Sequence, residues 1–273
     1  MSQSTALVTG ASSGMGKAIA KQLLNDGLNV YVAARRLESM QDLADKGARL
    51  IKLDLSKASS IEQAVNAILS QQTHIDVLVN NAGHSVYGAV EDMPLSTARY
   101  LFEVNLFGLA HLSQLLLPSM RRHGGAKIIN ISSMGGAIYT PLGAWYHASK
   151  HALEAWSDCL RLELAEFGVK VVIVQPGIIN TGLAHTLIES IMQISGSGDY
   201  QALARRVQQQ TQQVYQAHRS SPPQLVAKTV ANIIKSKRVK HRYAVGKYAH
   251  LLIRLHQHLP TRWFDKLMLP SSK

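Results

Sequence analysis

Cysteine is nearly absent: Cys159 is the only one in 273 residues. No internal disulfide can form, which excludes a small disulfide-stapled secreted scaffold. Acids are scarce, with 17 Asp and Glu against 29 Lys and Arg, leaving a formal charge of +12. No continuous apolar run reaches the roughly 18 residues that span a bilayer. The first apolar run, residues 5–9, is too short for a signal peptide and leads straight into a glycine turn. Together these absences point to the cytoplasm. The histidines form no metal-ligand spacing, so no metal site is expected. No internal repeat or domain boundary is visible.

What is present suits a packed chain. Hydrophobic residues make up 46% and charged residues 17%, a globular rather than a disordered balance. The length permits a sizeable core, and a single α/β domain is the expected packaging. The positive charge is uneven. Residues 235–273 hold ten Lys and Arg against one acid, Asp265, so this stretch carries +9 and the preceding 234 residues only +3. Such a segment suits nucleic acid, anionic lipid or an acidic substrate, or is simply a solvated surface.

Short apolar runs alternate with longer helical patterns. Strands are expected over residues 5–9, 29–34, 49–53, 75–80, 127–132 and 170–175, with a seventh over 242–245. Helices are expected over 15–25, 37–44, 60–71, 96–121, 145–166 and 224–235. The strands are nearly continuous apolar stretches, as strands covered on both faces should be. Strand–helix alternation implies a doubly wound, Rossmann-type parallel sheet of about seven strands with helices on both faces. Ligands bind such sheets at the carboxyl ends of the strands, where strand order reverses. After Gln175 the pattern loosens. Residues 178–221 contain Ser195-Gly196-Ser197-Gly198 and a glutamine-rich stretch at 208–213. A long excursion after a strand end is a candidate lid. The expected division is a core at 4–182, a helical substrate lid at 183–221 and a C-terminal segment at 222–273.

Three motifs fall just after strands. Thr9-Gly10-Ala11-Ser12-Ser13-Gly14-Met15-Gly16 joins the first strand to the first helix. Gly10 permits the tight turn, Gly14 lets backbone approach a pyrophosphate, and Gly16 allows close packing of helix on strand. Phosphates then meet free N–H groups and the positive end of the helix dipole. Arg35-Arg36 ends the second strand, where an acid would hold the ribose hydroxyls of NAD. Arginine there suits a 2′-phosphate instead, so NADP(H) is favoured over NAD(H). An ordinary solvated pair, or one neutralised by Glu38, is the plainer alternative.

The third motif is Tyr146-His147-Ala148-Ser149-Lys150. Positions four apart share a helix face, so the phenol and the ammonium can converge on one ligand. A tyrosine with a pKa near 10 must come down for acid–base work near neutrality, and about three units need roughly 4 kcal/mol of phenolate stabilisation. Lys150 and an oxidised nicotinamide would supply the charge. Ser133 stands thirteen residues upstream at a strand end, where its hydroxyl can polarise a carbonyl. That spacing selects Ser133 over Ser132. His147 is expected to face off the reactive side. Trp145 and Tyr139 either border a substrate pocket or pack the core.

Over residues 4–182 the chain resembles the short-chain dehydrogenase/reductase family in motif order and spacing. The resemblance implies that Ser133, Tyr146 and Lys150 are the stabiliser, the acid/base and its electrostatic partner. It further implies that Asn105, in Val104-Asn105-Leu106-Phe107-Gly108, completes a catalytic tetrad and holds a relay water. Asn80-Asn81-Ala82-Gly83 looks like the family's NNAG turn, with Asn81, Ala82 and Gly83 lining the adenosine side. Asp54-Leu55 matches the acidic position that contacts adenine. Pro176-Gly177-Ile178-Ile179-Asn180-Thr181 resembles the PG turn, whose backbone and Thr181 meet the nicotinamide carboxamide. The glycine loop, Ser12 to Met15 included, would hold the pyrophosphate, and Lys150 the nicotinamide ribose. Met15 stands where isoleucine is more usual.

Residues 222–268 more loosely resemble the C-terminal region of 17β-hydroxysteroid and retinol dehydrogenase-like members, through Arg242-Tyr243-Ala244-Val245-Gly246 and Leu259-Pro260. The implied reaction interconverts a carbonyl and an alcohol on a hydrophobic substrate. The apolar residues Leu183, Leu187, Ile188, Ile191 and Met192 of the candidate lid agree with such a substrate, although a core helix shows the same spacing. The tail, with Leu251, Leu252, Ile253, Leu255, Trp263 and Phe264 among its cations, suits peripheral contact with an anionic membrane, or packing on its own domain or a partner subunit. A homodimer or homotetramer built on the long fourth and fifth helices is expected. A 3-oxoacyl-carrier-protein reductase shares the motifs but usually lacks such a tail. A non-catalytic NADP-binding regulator needs no Tyr146–Lys150 pair. A nucleic-acid binder has only the charge and aromatics of the tail behind it, with no recognition motif.

Overall fold

The computed structural model describes residues 3–216 and 220–270, without the side chains of residues 183–185 and 216. Seven parallel strands form one sheet in the order β3-β2-β1-β4-β5-β6-β7. They are β1 (Thr5–Thr9), β2 (Asn29–Ala34), β3 (Arg49–Lys52), β4 (Val77–Asn80), β5 (Lys127–Ile131), β6 (Lys170–Pro176) and β7 (Arg242–Val245). β1 sits between β2 and β4, with Ala6 level with both Val30 and Val77. Strand order reverses there, so a crevice opens at the carboxyl ends of β1 and β4.

Alternating side chains of each strand feed two cores. Ala6, Val8, Val32, Val79 and Val172 pack against Ile19 and Leu23 of α1 (Gly14–Asn25) and Val226 and Val230 of α9 (Pro223–Lys235). Leu7, Tyr31, Leu78, Ile128 and Val171 pack against the other layer. That layer comprises α3 (Ala58–Leu69), α5 (Gly108–His123) and α6 (Ala144–Glu163). Leu112, Leu116 and Leu153 are fully buried there, each contributing about 1.5–3 kcal/mol by burial. Two-sided cover explains why the strands read as continuous apolar runs. The remaining helix on the β2–β3 crossover, α2 (Gln41–Ala44), is short and follows a 3-10 turn, Glu38–Met40, within the helix expected over 37–44.

The helix expected over 96–121 is continuous from Leu95 to His123 but not regular. α4 (Leu95–Phe102) passes into α5 through a π turn, Glu103–Phe107. The extra residue in that turn does not disturb the apolar periodicity, so it leaves no sequence signal. A Cβ at Gly108 would stand 2.0 Å from the carbonyl oxygen of Leu55, so the helix can approach the strand end only with glycine there. Among the described residues, Leu95–His123 is the one helix long and apolar enough to cross a membrane, although no single apolar run in it reaches that length. Its apolar side, Leu109, Leu112, Leu116 and Met120, is occupied by the sheet and α3.

Residues 178–221 leave and return at one place. Ser221 N–H donates to the Ile178 carbonyl and Asn180 N–H to the Ser221 carbonyl, both at 2.8 Å. Between them α7 (Leu183–Ser195) and α8 (Gln201–Gln216) pack on each other. Leu187, Ile191 and Met192 turn inward as one apolar face. The side chain of Leu183 lies outside the described residues. Beyond β7 the chain forms α10 (Ala249–His258) and α11 (Thr261–Met268), two short helices that the sequence pattern does not announce.

Candidate active site

The crevice is a cleft of about 560 Å³. One wall is the glycine loop, where Gly10, Ser12, Ser13, Gly14 and Met15 line it. Gly10 and Gly14 adopt φ values of +68° and +53°, which L side chains rarely take. A Cβ at Gly16 would stand 2.3 Å from the Gly10 carbonyl oxygen, so Gly16 lets α1 press on the loop rather than facing the cleft itself. Ser13 gives α1 no side-chain cap, and its first turn holds no acid. The N–H groups of that turn therefore remain available to an anion in the cleft.

The second wall is the end of β4. Asn81 locks β4 to β1: its side-chain amide donates to the Thr9 carbonyl at 2.9 Å and the Gly10 carbonyl at 3.3 Å. The Thr9 hydroxyl in turn accepts from the Asn81 and Ala82 N–H groups. Asn81, Ala82 and Gly83 all line the cleft. Asn80 points away into a buried network, donating to Asn130 at 2.9 Å and Ser113 at 3.1 Å.

At the far end stand Arg35, Arg36, Asp54 and Leu55. Both arginines are exposed, and Arg35 donates to the Tyr100 hydroxyl at 3.1 Å. Burial raises the Asp54 carboxyl, but the hydroxyl and N–H of Ser56, with Arg35 and Lys57 nearby, outweigh it and hold the group below its ordinary value. Tyr100 and His84 also line this cleft. Tyr100 is not visible in the sequence as a site residue, because it arrives from α4; His84 directly follows the Asn80–Gly83 motif and was within reach of it.

At the other end α6 presents Tyr146 and Lys150 to the cleft, one turn apart. Lys150 is buried and donates to the Ile131 carbonyl at 3.1 Å. Burial brings its ammonium down to about 8, against the opposing pull of Glu154. The Tyr146 phenol behaves differently from the expectation of a lowered value. Burial raises it, and only the Ser133 hydroxyl works the other way. The physical reason is burial: the phenol sits against the apolar groups of two clusters.

Ser133 caps the 3-10 turn Met134–Gly136, its hydroxyl accepting from the Gly135 N–H at 3.0 Å. Ser132 lines the cleft and Ser133 lies outside its lining, although the Ser133 hydroxyl reaches the Tyr146 phenol. The Ser132 hydroxyl sits beside Gly136, where a Cβ would stand 2.7 Å from it. Asn105 lies in the π turn, fully buried. Its oxygen accepts from the His84 N–H at 2.7 Å, and its amide donates to the His84 carbonyl at 2.9 Å and the Ser149 hydroxyl at 3.1 Å. Both ends of that side chain are thus committed to joining β4's exit loop to α6. A Cβ on Gly83 would meet Asn105 Oδ1 at 3.4 Å and Lys150 Nζ at 3.8 Å, which places both polar groups against the same face of the turn.

Thr181 lines the cleft, but Pro176, Gly177 and Ile179 lie outside its lining. Gly177 N–H donates to the Val245 carbonyl at 2.8 Å, and a Cβ there would stand 2.1 Å from the Lys247 carbonyl oxygen. Ile179 packs in the core of the α1 face. These three build the turn that delivers Thr181.

His147 does face away from the cleft, but it is buried rather than idle. Burial brings its imidazole down to about 4, so the ring is neutral. Nδ1 lies 2.9 Å from the Gly135 carbonyl and must carry the proton, since a carbonyl only accepts; Nε2 accepts from the Thr140 N–H at 3.2 Å. His147 therefore pins the segment that follows Ser133. Trp145 packs with Val86, Met93, Leu101 and Ile194 in one apolar cluster. Tyr139 meets the C-terminal helices, donating to Asp265 at 2.9 Å. Tyr146 itself borders two apolar clusters, one of them formed with Tyr87, Leu142, Leu187 and Ile191.

The residues present fit a dinucleotide: an uncapped helix start for its phosphates, a glycine loop that a Cβ would fill, and arginines with a carboxylate at the far end. Comparison with known proteins agrees. The short chain dehydrogenase family matches residues 4–191. A probable short-chain type dehydrogenase/reductase, VdlC, of Helicobacter pylori is 34% identical, covering 96% of this chain and 95% of its own. A 3-ketodihydrosphingosine reductase of Bacteroides thetaiotaomicron is 38% identical over 71% of this chain and 70% of its own. A crystal structure of an actinorhodin polyketide ketoreductase variant with NADPH superposes with a TM-score of 0.76 at 32% identity, over 89% of this chain and 95% of that one. The chain belongs to the short-chain dehydrogenase/reductase family and is an oxidoreductase acting on CH–OH groups.

Proposed function

We propose that this chain interconverts a carbonyl and an alcohol on a hydrophobic, lipid-like substrate, using NADP(H) in preference to NAD(H), with Tyr146 as acid/base. One observation carries the reading: Tyr146 lines the dinucleotide cleft and also packs against the apolar clusters beneath α7 and α8. The residue that would move the proton therefore stands where a polar cofactor site meets a packed apolar cluster. That cluster, with Tyr87, Leu142, Leu187 and Ile191, and the likeness to a 3-ketodihydrosphingosine reductase support the substrate class. Residues 183–221 act as the substrate lid.

A bound dinucleotide supplies or accepts the hydride. The chain's own part runs as follows. Arg35 and Arg36 hold the 2′-phosphate, which no acid at the end of β2 repels. Asp54 and Leu55 contact adenine; Asn81, Ala82 and Gly83 line the adenosine side; Thr181 meets the carboxamide. In reduction, Ser133 donates a hydrogen bond to the substrate oxygen and Tyr146 donates its proton to the same atom. The raised phenol holds its proton at neutral pH, and efficient transfer needs the positive charge of Lys150 to bring it down. Lys150 lies one turn on and holds positive charge near the phenolate that remains. Asn105 positions α6 against the turn at Gly83 through Ser149 and His84.

NADPH fluorescence, followed with long-chain 3-keto sphingoid bases, steroids, retinoids and small polar ketones, tests the reading. Turnover confined to small polar carbonyls or to acyl-carrier-protein thioesters overturns the substrate class. Equal rates with NADH overturn the cofactor preference.

A further inference from the structure

The two C-terminal helices have an inner and an outer side. Inward, Phe264 is fully buried, with its ring 5.4 Å from that of Tyr139 and 4.8 Å from that of His256. Asp265 accepts the Tyr139 hydrogen bond, and α10 packs on the Met134–Gly136 turn that follows Ser133. Outward, Leu251, Trp263, Leu267 and Leu269 are 56%, 54%, 47% and 56% exposed. Trp263 and Leu267 lie one turn apart on α11, so they share a face.

The outer side also carries charge of one sign. Arg254, Arg262 and Lys266 are exposed. The Arg262 guanidinium and the Lys266 ammonium sit over the Trp263 ring, 6.0 and 5.3 Å from its centroid. Asp265 is the single acid of residues 235–273, and it is drawn inward by Tyr139. Apart from His250, Gln257 and His258 on α10, the exposed large side chains of the described residues of α10 and α11 are apolar or cationic, and no acid is exposed among them.

We propose that this outer face docks on an anionic lipid bilayer. Exposed leucines and an indole ringed by cations are the groups that settle at a headgroup boundary, the apolar parts entering the acyl region and the cations meeting lipid phosphates. A second copy of the chain is the poorer occupant. Two-fold pairing would set Arg254, Arg262 and Lys266 against the same cations with no acid between them. Docking here brings the lipid phase beside Tyr139 and the turn after Ser133. Only this use, delivery of a lipid-like substrate, rests on the function proposed above; the docking itself does not.

Sedimentation of the full-length protein tests it, with phosphatidylcholine vesicles and with vesicles of equal parts phosphatidylcholine and phosphatidylglycerol. Sedimentation is expected with the mixed vesicles, weakly or not at all with phosphatidylcholine alone, and reversal is expected at high salt. Replacing Trp263 and Leu267 with Ser, or Arg262 and Lys266 with Ser, is expected to weaken vesicle binding by about tenfold or more, with melting temperature and NADPH binding unchanged. Four results would overturn it: no sedimentation with mixed vesicles, equal sedimentation with both kinds, unaltered binding in both variants, or self-association that these variants abolish. Turnover is measured separately. Inactive protein that still sediments refutes the catalytic reading, and active protein that does not sediment refutes the docking.

Discussion

Lys150 and Glu154 lie one turn apart on α6, each only 6% exposed. The Glu154 carboxylate accepts from Gln175 at 3.2 Å and from Arg242 Nε at 2.9 Å. Arg242 also pairs with Asp158, so a chain of charges runs from β7 to the cleft. Burial makes the Lys150 cation costly, and Glu154 offsets part of that cost. Glu154→Gln keeps the shape and removes the charge. The Lys150 value, about 8 in the intact protein, should then fall further. The lysine would lose its proton at lower pH, so the alkaline limb of kcat/KM should move down by roughly one unit, about tenfold in activity on that limb. NADPH affinity at pH 6, where Lys150 stays charged in both proteins, should hold. An alkaline limb that stays in place removes Glu154 from this role.

Tyr146→Phe deletes the phenol and leaves its apolar contacts. Turnover should drop by about 10²–10⁴-fold, the usual share of a positioned acid or base. NADPH binding, followed by fluorescence, should be near normal. Turnover that survives would place the proton donor elsewhere.

Part of this site was legible from spacing alone, for a local reason, while Asp54, Asn81, Asn105 and Thr181 were legible only through the family resemblance. Tyr146 and Lys150 are joined by helix geometry, and Gly10, Gly14 and Gly16 by one turn. The strands were legible because cover on both faces leaves β-branched runs such as Lys170–Pro176. What stayed hidden depends on distant partners. Tyr100 reaches Arg35 across 65 residues and Arg242 reaches Glu154 across 88. The direction of the Tyr146 shift depends on how deeply tertiary packing buries the phenol, which no motif records. α10 and α11 are short, are separated by Pro260, and mix histidine and tryptophan with leucine, so periodicity had too few turns to register.

Arg35 is the more informative of the paired arginines, because it also donates to Tyr100 and stands near Asp54. Arg35→Asp places a carboxylate where the 2′-phosphate would lie and where ribose hydroxyls would be welcomed. The ratio of kcat/KM for NADPH over NADH should fall by about tenfold or more, a charge-assisted pair being worth about 1.5–3 kcal/mol. An unchanged ratio shows that Arg35 does not read the phosphate.

Phe107 and Leu162 are 56% and 66% exposed, at the π turn and on α6. Apolar groups so placed on the two long helical elements are suited to pairing between copies. Light scattering should give a mass of two or four chains. Replacing both with Ser should lower it; a monomeric wild-type mass ends the idea.

His147 links acid stability to the segment after Ser133. Its imidazole sits at about 4, below the ordinary 6.5, because burial disfavours the cation. Between those two values the unfolded chain binds a proton that the folded chain refuses. Its contribution to folding is therefore complete above about pH 6.5 and declines as pH falls toward 4. Protonation would also deprive the Thr140 N–H of its acceptor on Nε2. His147→Gln can still donate to the Gly135 carbonyl and accept from Thr140, but it does not titrate. Its melting temperature should start somewhat lower at pH 7 and fall less steeply down to pH 4.5. His147→Ala should lose both bonds and, with Ser133 less well held, lower kcat more than it raises KM. Parallel wild-type and Gln curves would show that His147 does not set the acid limb.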